Sequence, residues 1–138
     1  MAYTSQFVDQ GQGLLQIGEG IITSEEVFEV AQALNRLPDE MRRLQFALLD
    51  FSEAADLQIT GEQLRDIVAE NEITSALVSP GLIAVVAPRD QIYGLARMWQ
   101  AFVERLNWKV GVFRTRVEAL DWIHGAVPAA QLLRIGEN

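Results

Sequence analysis

Asp50, Glu53 and Asp56 are the nearest thing in this chain to a reactive constellation. Carboxylates so spaced can divide acid and base duties when their surroundings push their proton affinities apart. They follow an apolar run, at the carboxyl edge where open α/β sheets collect ligands. A solvated loop accounts for the same acids more simply, and that is the reading adopted. His124 is the single histidine. With no second histidine ligand and no Ser or Cys nucleophile set by a motif, it supports neither a metal site nor a triad. Near the end of a helix, an imidazole can bond the final carbonyls instead. The chain has no cysteine, which excludes disulfides, thiolate catalysis and sulfur-ligated metals.

Glycine pairs do not supply a nucleotide loop. Gly11-Gln12-Gly13 joins two apolar runs rather than a strand to a helix. Gly18-Glu19-Gly20 does precede a helix, but it lacks a third glycine, and Glu19 would repel a pyrophosphate. No Gly-Lys-Ser/Thr exists to hold a triphosphate. A protein that is not an enzyme, with no cofactor and no metal, is the expectation. Gly94 is the remaining oddity. Glycine inside a helix costs about 1 kcal/mol relative to alanine, so something is expected to approach closely there, a neighbouring loop or a ligand. Tyr93 and Arg97 lie one turn apart off the apolar stripe, and Gln100 and Glu104 extend their face. That face is either solvated surface or the lining of a groove.

The elements that must position these residues follow a strand-then-helix rhythm. Phe7-Val8-Asp9 and Leu14-Leu15-Gln16-Ile17 flank Gln10 to Gly13, which predicts a hairpin, with Gly18-Glu19-Gly20 ending its second strand. Thr23-Ser24-Glu25-Glu26 fits a capping box. Val27, Val30, Ala31, Leu34 and Leu37 then repeat at helical spacing until Pro38 stops them. Leu44 to Phe51 reads as a strand covered on both faces, followed by a loop over Ser52 to Ile59. Thr60-Gly61-Glu62-Gln63 opens a second helix through Leu64, Ile67, Val68 and Leu77, ended by Ser79-Pro80-Gly81. Leu82 to Ala87 is the most strongly buried strand, closed by Pro88, and Asp90 can cap the third helix. Its stripe is Ile92, Leu95, Ala96, Trp99, Val103 and Leu106. Trp108 to Phe113 is the last strand. Thr115-Arg116-Val117-Glu118 opens a short helix through Ala119, Leu120, Trp122 and Ile123. The tail, 125–138, holds at most one helical turn begun at Pro128.

This alternation is the grammar of βαβ units around a mainly parallel sheet. The fold class expected is α/β: a five-stranded mixed sheet with a leading antiparallel hairpin, parallel strands thereafter in sequential order, and four to five helices. One domain over 1–138, with its core at 7–124, suits the length, and such a chain buries about two-thirds of its unfolded surface. No apolar run approaches the roughly 18 residues that span a bilayer, and the N-terminus lacks the pattern of a secretory signal. A cytoplasmic location is therefore expected, with peripheral attachment to a membrane as the variant.

The formal net charge of −8 argues against nucleic acid, whose phosphates demand a basic face. The charge is uneven: residues 1–80 carry four Arg and fourteen acids, residues 81–138 six Arg, one Lys and five acids. Solvated helix surfaces explain this; a partner or membrane contact by the less acidic half is the sharper alternative.

With these residues assembled, the chain resembles the SpoIIAA-like family of small domains, related to STAS domains and more remotely to CRAL-TRIO lipid carriers. The resemblance rests on Gly20-Ile21-Ile22-Thr23, Leu49-Asp50-Phe51-Ser52, Ile83-Ala84-Val85-Val86-Ala87-Pro88, Tyr93-Gly94-Leu95-Ala96-Arg97-Met98, Val112-Phe113-Arg114 and Glu118-Ala119-Leu120-Asp121-Trp122-Ile123. Together they cover about residues 7 to 124. It implies a β-α superhelix. It also implies an apolar or amphipathic ligand, or a membrane surface, met between the second and third helices and the sheet. Tyr93, Gly94, Arg97, Met98, Trp99, Phe102, Asp50 and Phe51 would line or gate that site. Trp99 equally suits plain packing. STAS domains of the anti-sigma-antagonist type are phosphorylated within Asp-Ser-Ser/Thr-Gly at the start of the second helix. Here Thr60-Gly61 matches the last two positions, while Gln58-Ile59 replaces the first two. Thr60, with Ser52 as a second candidate, would then be the switch for a regulatory protein partner, and a homodimer is a further option.

Overall fold

In the computed structural model, which describes residues 2–78, 81–128 and 130, apolar side chains alternate along the strands so that both sheet faces are covered. The strands are β1 (Tyr3–Val8), β2 (Gly13–Thr23), β3 (Phe46–Gln58), β4 (Gly81–Val86) and β5 (Trp108–Phe113), in the spatial order β1-β2-β3-β4-β5. β1 runs antiparallel to β2 and every later pairing is parallel. The expected α/β class, mixed sheet and sequential order are all present.

The helices are α1 (Ser24–Asn35), α2 (Pro38–Met41), α3 (Gly61–Leu77), α4 (Asp90–Phe102) and α5 (Arg116–Ala126). Ala119, Leu120 and Ile123 of α5 pack on Leu15, Phe46, Leu48, Ala84 and Val86. The opposite face, with Phe51, Ala54, Val85 and Ala87, receives Ile92 and Ala96 of α4 and Val27 and Val30 of α1. Leu14, Met41, Leu44 and Ala47 close that layer at the other end. α3 differs. It packs chiefly on α1, and on α4 and α2, rather than down on the strands.

Two capping boxes form as expected. The Thr23 hydroxyl accepts from Glu26 N while Glu26 takes the Thr23 N–H, and Thr60 and Gln63 repeat the exchange. At Thr115 only half of the box forms, because Glu118 accepts from the Thr115 hydroxyl rather than from its backbone.

Several boundaries depart from expectation. β2 does not end at Gly18-Glu19-Gly20; it continues to Thr23 through irregular registers beside Ile17 and Gly20. Gly18 permits a close approach instead: an added Cβ would lie 2.4 Å from Ile22 Cδ1 and 2.8 Å from Phe51 Cδ1. The loop expected over Ser52 to Ile59 is mostly strand, since β3 follows β2 as far as Gln58. Ser-Glu-Ala-Ala-Asp-Leu-Gln lacks β-branched residues, so its strand character comes from pairing and not from propensity. β1 begins at Tyr3, ahead of Phe7. α1 ends at Asn35, and Pro38 starts the short α2 at a position that tolerates its missing N–H. Asp90 is not the cap of α4: Arg89 occupies that position without a side-chain bond, and Asp90 pairs with Arg114 at 2.6 Å. Val103 follows the last turn of α4 and Leu106 lies beyond it. Of the expected stop of α3, Ser79 and Pro80 lie outside the described residues, as does most of the tail, 125–138, with its helical turn.

Candidate ligand cavity

Because α3 rests on its neighbouring helices, a space remains between it and the sheet. This cavity measures about 150 Å³ and is lined mainly by apolar side chains. Ala31 and Leu34 come from α1, Leu64 and Ile67 from α3, Leu95, Ala96 and Trp99 from α4, and Leu49, Phe51 and Val85 from the floor. No charged side chain lines it among the described residues.

A few polar groups interrupt the apolar wall. Tyr3 is buried and its ring stacks on Phe51, centroids 5.9 Å apart and 5° from parallel. Its hydroxyl donates to Gln16 Oε1. Burial pushes the Tyr3 phenol well above its ordinary range, so it stays a neutral donor. On α3, Asn71 Oδ1 accepts from Trp99 Nε1 at 2.8 Å. The Thr74 hydroxyl donates to Asn35 Oδ1 at 2.5 Å, and Asn35 Nδ2 donates to the Glu70 carbonyl at 3.0 Å. These bonds fasten α3 to α4 and α1 over the cavity.

The residues singled out from sequence do not converge. Trp99 and Phe51 line the cavity. Asp50 and Ser52 belong elsewhere: Asp50 shares the strand parity of Phe46 and Leu48 and bonds Arg116 of α5 at 3.0 Å. Its other oxygen accepts from Ser52 N at 2.9 Å and Ser52 Oγ at 2.5 Å. Asp56 bonds Leu57 N, and Glu53 is exposed, so the acidic trio shares no centre. Tyr93 lies beneath the Arg114 guanidinium, 3.8 Å from the ring centroid. Arg97 and Met98 are exposed on α4, and Phe102 lies 5.9 Å from the Arg65 guanidinium carbon. Gly94 faces open space: a Cβ there would meet nothing within 4 Å. The expected close approach of a neighbouring loop is not made, and its exposed position beside solvent is the reason. Thr60 is exposed at the N-terminus of α3. Among the described residues no cluster of acids and histidine could hold a metal ion, and no helix is long and apolar enough to cross a membrane.

Tyr3, Gln16, Asn71 and Thr74 were not singled out from sequence. Gln16 did carry a signal, being an amide inside the apolar run Leu14-Leu15-Gln16-Ile17 of a doubly covered strand.

No protein-family model matches the chain, and no curated protein matches it. Solved structures do. An uncharacterised protein of the DUF3478 family with a SpoIIAA-like fold, from Shewanella loihica PV-4, superposes with a TM-score of 0.56 at 16% identity, covering 88% of this chain and 92% of that one. The anti-sigma factor antagonist SpoIIAA in its unphosphorylated form superposes with a TM-score of 0.57 at 10% identity, covering 90% and 99%. At such identities the likeness establishes the fold, which is SpoIIAA-like, in agreement with the resemblance read from sequence.

Proposed function

We propose, from the premise of a SpoIIAA-like fold, that this chain is a non-catalytic binding domain whose cavity beneath α3 takes a small apolar ligand. One observation carries the reading: a cavity of about 150 Å³ with an apolar wall and a few fixed polar groups, the usual make-up of small-molecule sites. A dry apolar cavity of about this size admits benzene in another protein. Entry is by outward movement of α3, whose contacts to α1 and α4 include only a few side-chain hydrogen bonds, each worth about 1 kcal/mol net. A benzene titration followed through the Trp99 indole N–H resonance tests this, alongside mass spectrometry of small molecules that copurify. A displaced Trp99 signal with saturable binding is expected. An unmoved signal at saturation, with no copurifying molecule, overturns the reading. Binding to liposomes only, with Trp99 undisturbed, would place the function at a membrane surface instead.

A second reading is favoured by one feature: Thr60 is exposed at the start of α3, on a fold shared with an anti-sigma factor antagonist. Phosphorylation there adds roughly −1.5 to −2 charges at a helix N-terminus, where negative charge is favourable. It would also repel a partner shaped for a neutral hydroxyl. In a pull-down, Thr60→Asp should lose a partner that Thr60→Ser retains; equal recovery by both excludes the switch.

A further inference from the structure

Of the three primary-amide residues that border the cavity, Gln45 is exposed, and Gln16 and Asn71 are biased in the same direction. Gln16 is only 6% exposed, and its Oε1 accepts from the Tyr3 hydroxyl. Asn71 Oδ1 accepts from Trp99 Nε1. An indole N–H can only donate, and a phenol kept neutral by burial donates here, so both amide oxygens are engaged. Each amide nitrogen keeps two N–H groups, and among the described residues none of these meets an acceptor. The Thr74 hydroxyl is likewise spent on Asn35. Gln16 Nε2 is not fully enclosed, since Arg116 Nε alone is so among the unpaired side-chain atoms of the described residues, and it therefore remains a donor open to an acceptor.

We infer that the cavity selects a neutral, benzene-sized compound carrying a hydrogen-bond acceptor oxygen, such as a ketone, with Gln16 Nε2 as the group that recognises it. This rests on the cavity reading above and deepens it. Charged head groups are disfavoured because no charged side chain lines the wall to offset their desolvation. A plain hydrocarbon fits by shape but leaves Gln16 unpaired.

Acetophenone and α-methylstyrene separate these cases, since they share a shape and differ in the replacement of O by CH2. Titration of the full chain, followed through the Gln16 side-chain amide and the Trp99 indole resonances, should give tighter binding of acetophenone by about fivefold or more. Benzoate should leave both resonances in place. In Gln16→Leu the preference should vanish or reverse in favour of the more hydrophobic alkene. If that variant does not fold, the wild-type ratio decides alone. Equal or tighter binding of α-methylstyrene by the wild type, with both resonances shifted, overturns the recognition by Gln16 and leaves the cavity reading standing. Failure of both compounds to shift either resonance overturns the two together.

Discussion

Asp50 and Arg116, 66 positions apart, meet at 3.0 Å and tie the middle of β3 to the first turn of α5. The Asp50 side chain is 5% exposed and that of Arg116 33%, so water screens the pair only from the arginine side. Asp50 also holds Ser52 through its backbone and hydroxyl.

Replacing Asp50 by alanine would strand these donors. Arg116 Nε already lacks a hydrogen-bond partner among the described residues, so Arg116 would keep its charge with water on its exposed side as the remaining partner. Removing one partner of a buried pair costs about 3–5 kcal/mol, less where one side is solvated. Asp50→Ala should therefore lower stability by about 2–3 kcal/mol in urea unfolding. Because the pair lies on the α5 face, acetophenone binding should be unchanged below the unfolding transition.

Gly94 and Gly18 should respond oppositely to alanine. At Gly94 a Cβ meets nothing within 4 Å, and the helical position gains up to about 1 kcal/mol from the better helix former. At Gly18 the new atom would overlap Ile22 and Phe51, both buried, and overpacking of this kind costs about 1–3 kcal/mol. Thermal melts of the two variants should move the midpoint up for Gly94→Ala and down for Gly18→Ala. A fall for Gly94→Ala would show that the first turn of α4 does not accept a Cβ as the open space there indicates.

The contrast between these glycines also marks what a sequence can reveal. Thr23 and Thr60 were legible because a capping box is local, four residues whose bonds close on themselves. Leu82 to Val86 and the α4 stripe were legible because their periods declare which faces are buried. Ser52 to Gln58 was not, because its strand state is conferred by β2 alongside it. Neither were the pairs Tyr3–Gln16 and Asp50–Arg116, which join distant positions through sheet register and helix docking. Within Tyr93-Gly94-Leu95-Ala96-Arg97-Met98, Leu95 and Ala96 border the cavity, whereas Gly94, Arg97 and Met98 are exposed on the other face of α4. The cavity is on the inner face, bordered by Trp99, a residue that suits both lining and plain packing by sequence.

Alkaline titration should single out Tyr3. Its folded-state proton affinity is raised by burial, whereas in the unfolded chain a tyrosine ionises near pH 10, about its ordinary value. The sign follows directly. The contribution is intact below about pH 10 and is lost as pH rises past it, because only the unfolded state then releases the proton. Wild-type stability should therefore fall with pH above about 10, with a slope reduced in Tyr3→Phe. Equal slopes for the two proteins, followed by urea unfolding across that range, would show that Tyr3 ionises freely in the folded chain. Tyr3→Phe should also be less stable at neutral pH, since the Gln16 oxygen loses its donor.

Filling the cavity should uncouple ligand binding from folding. Ala31 is 9% exposed on α1 and its side chain borders the space beneath α3. A leucine there adds three carbon atoms into a volume of about 150 Å³, large enough to receive them without displacing the floor at Phe51 or Val85. Cavity filling commonly stabilises by about 0.5–2 kcal/mol, whereas insertion into a tightly packed core costs about 1–3 kcal/mol. The sign of the change is therefore informative. Ala31→Leu should raise the unfolding midpoint and abolish the benzene- and acetophenone-induced shifts of the Trp99 indole. A destabilised protein that still binds acetophenone would put the ligand elsewhere on the molecule, because the same volume cannot be both full and open.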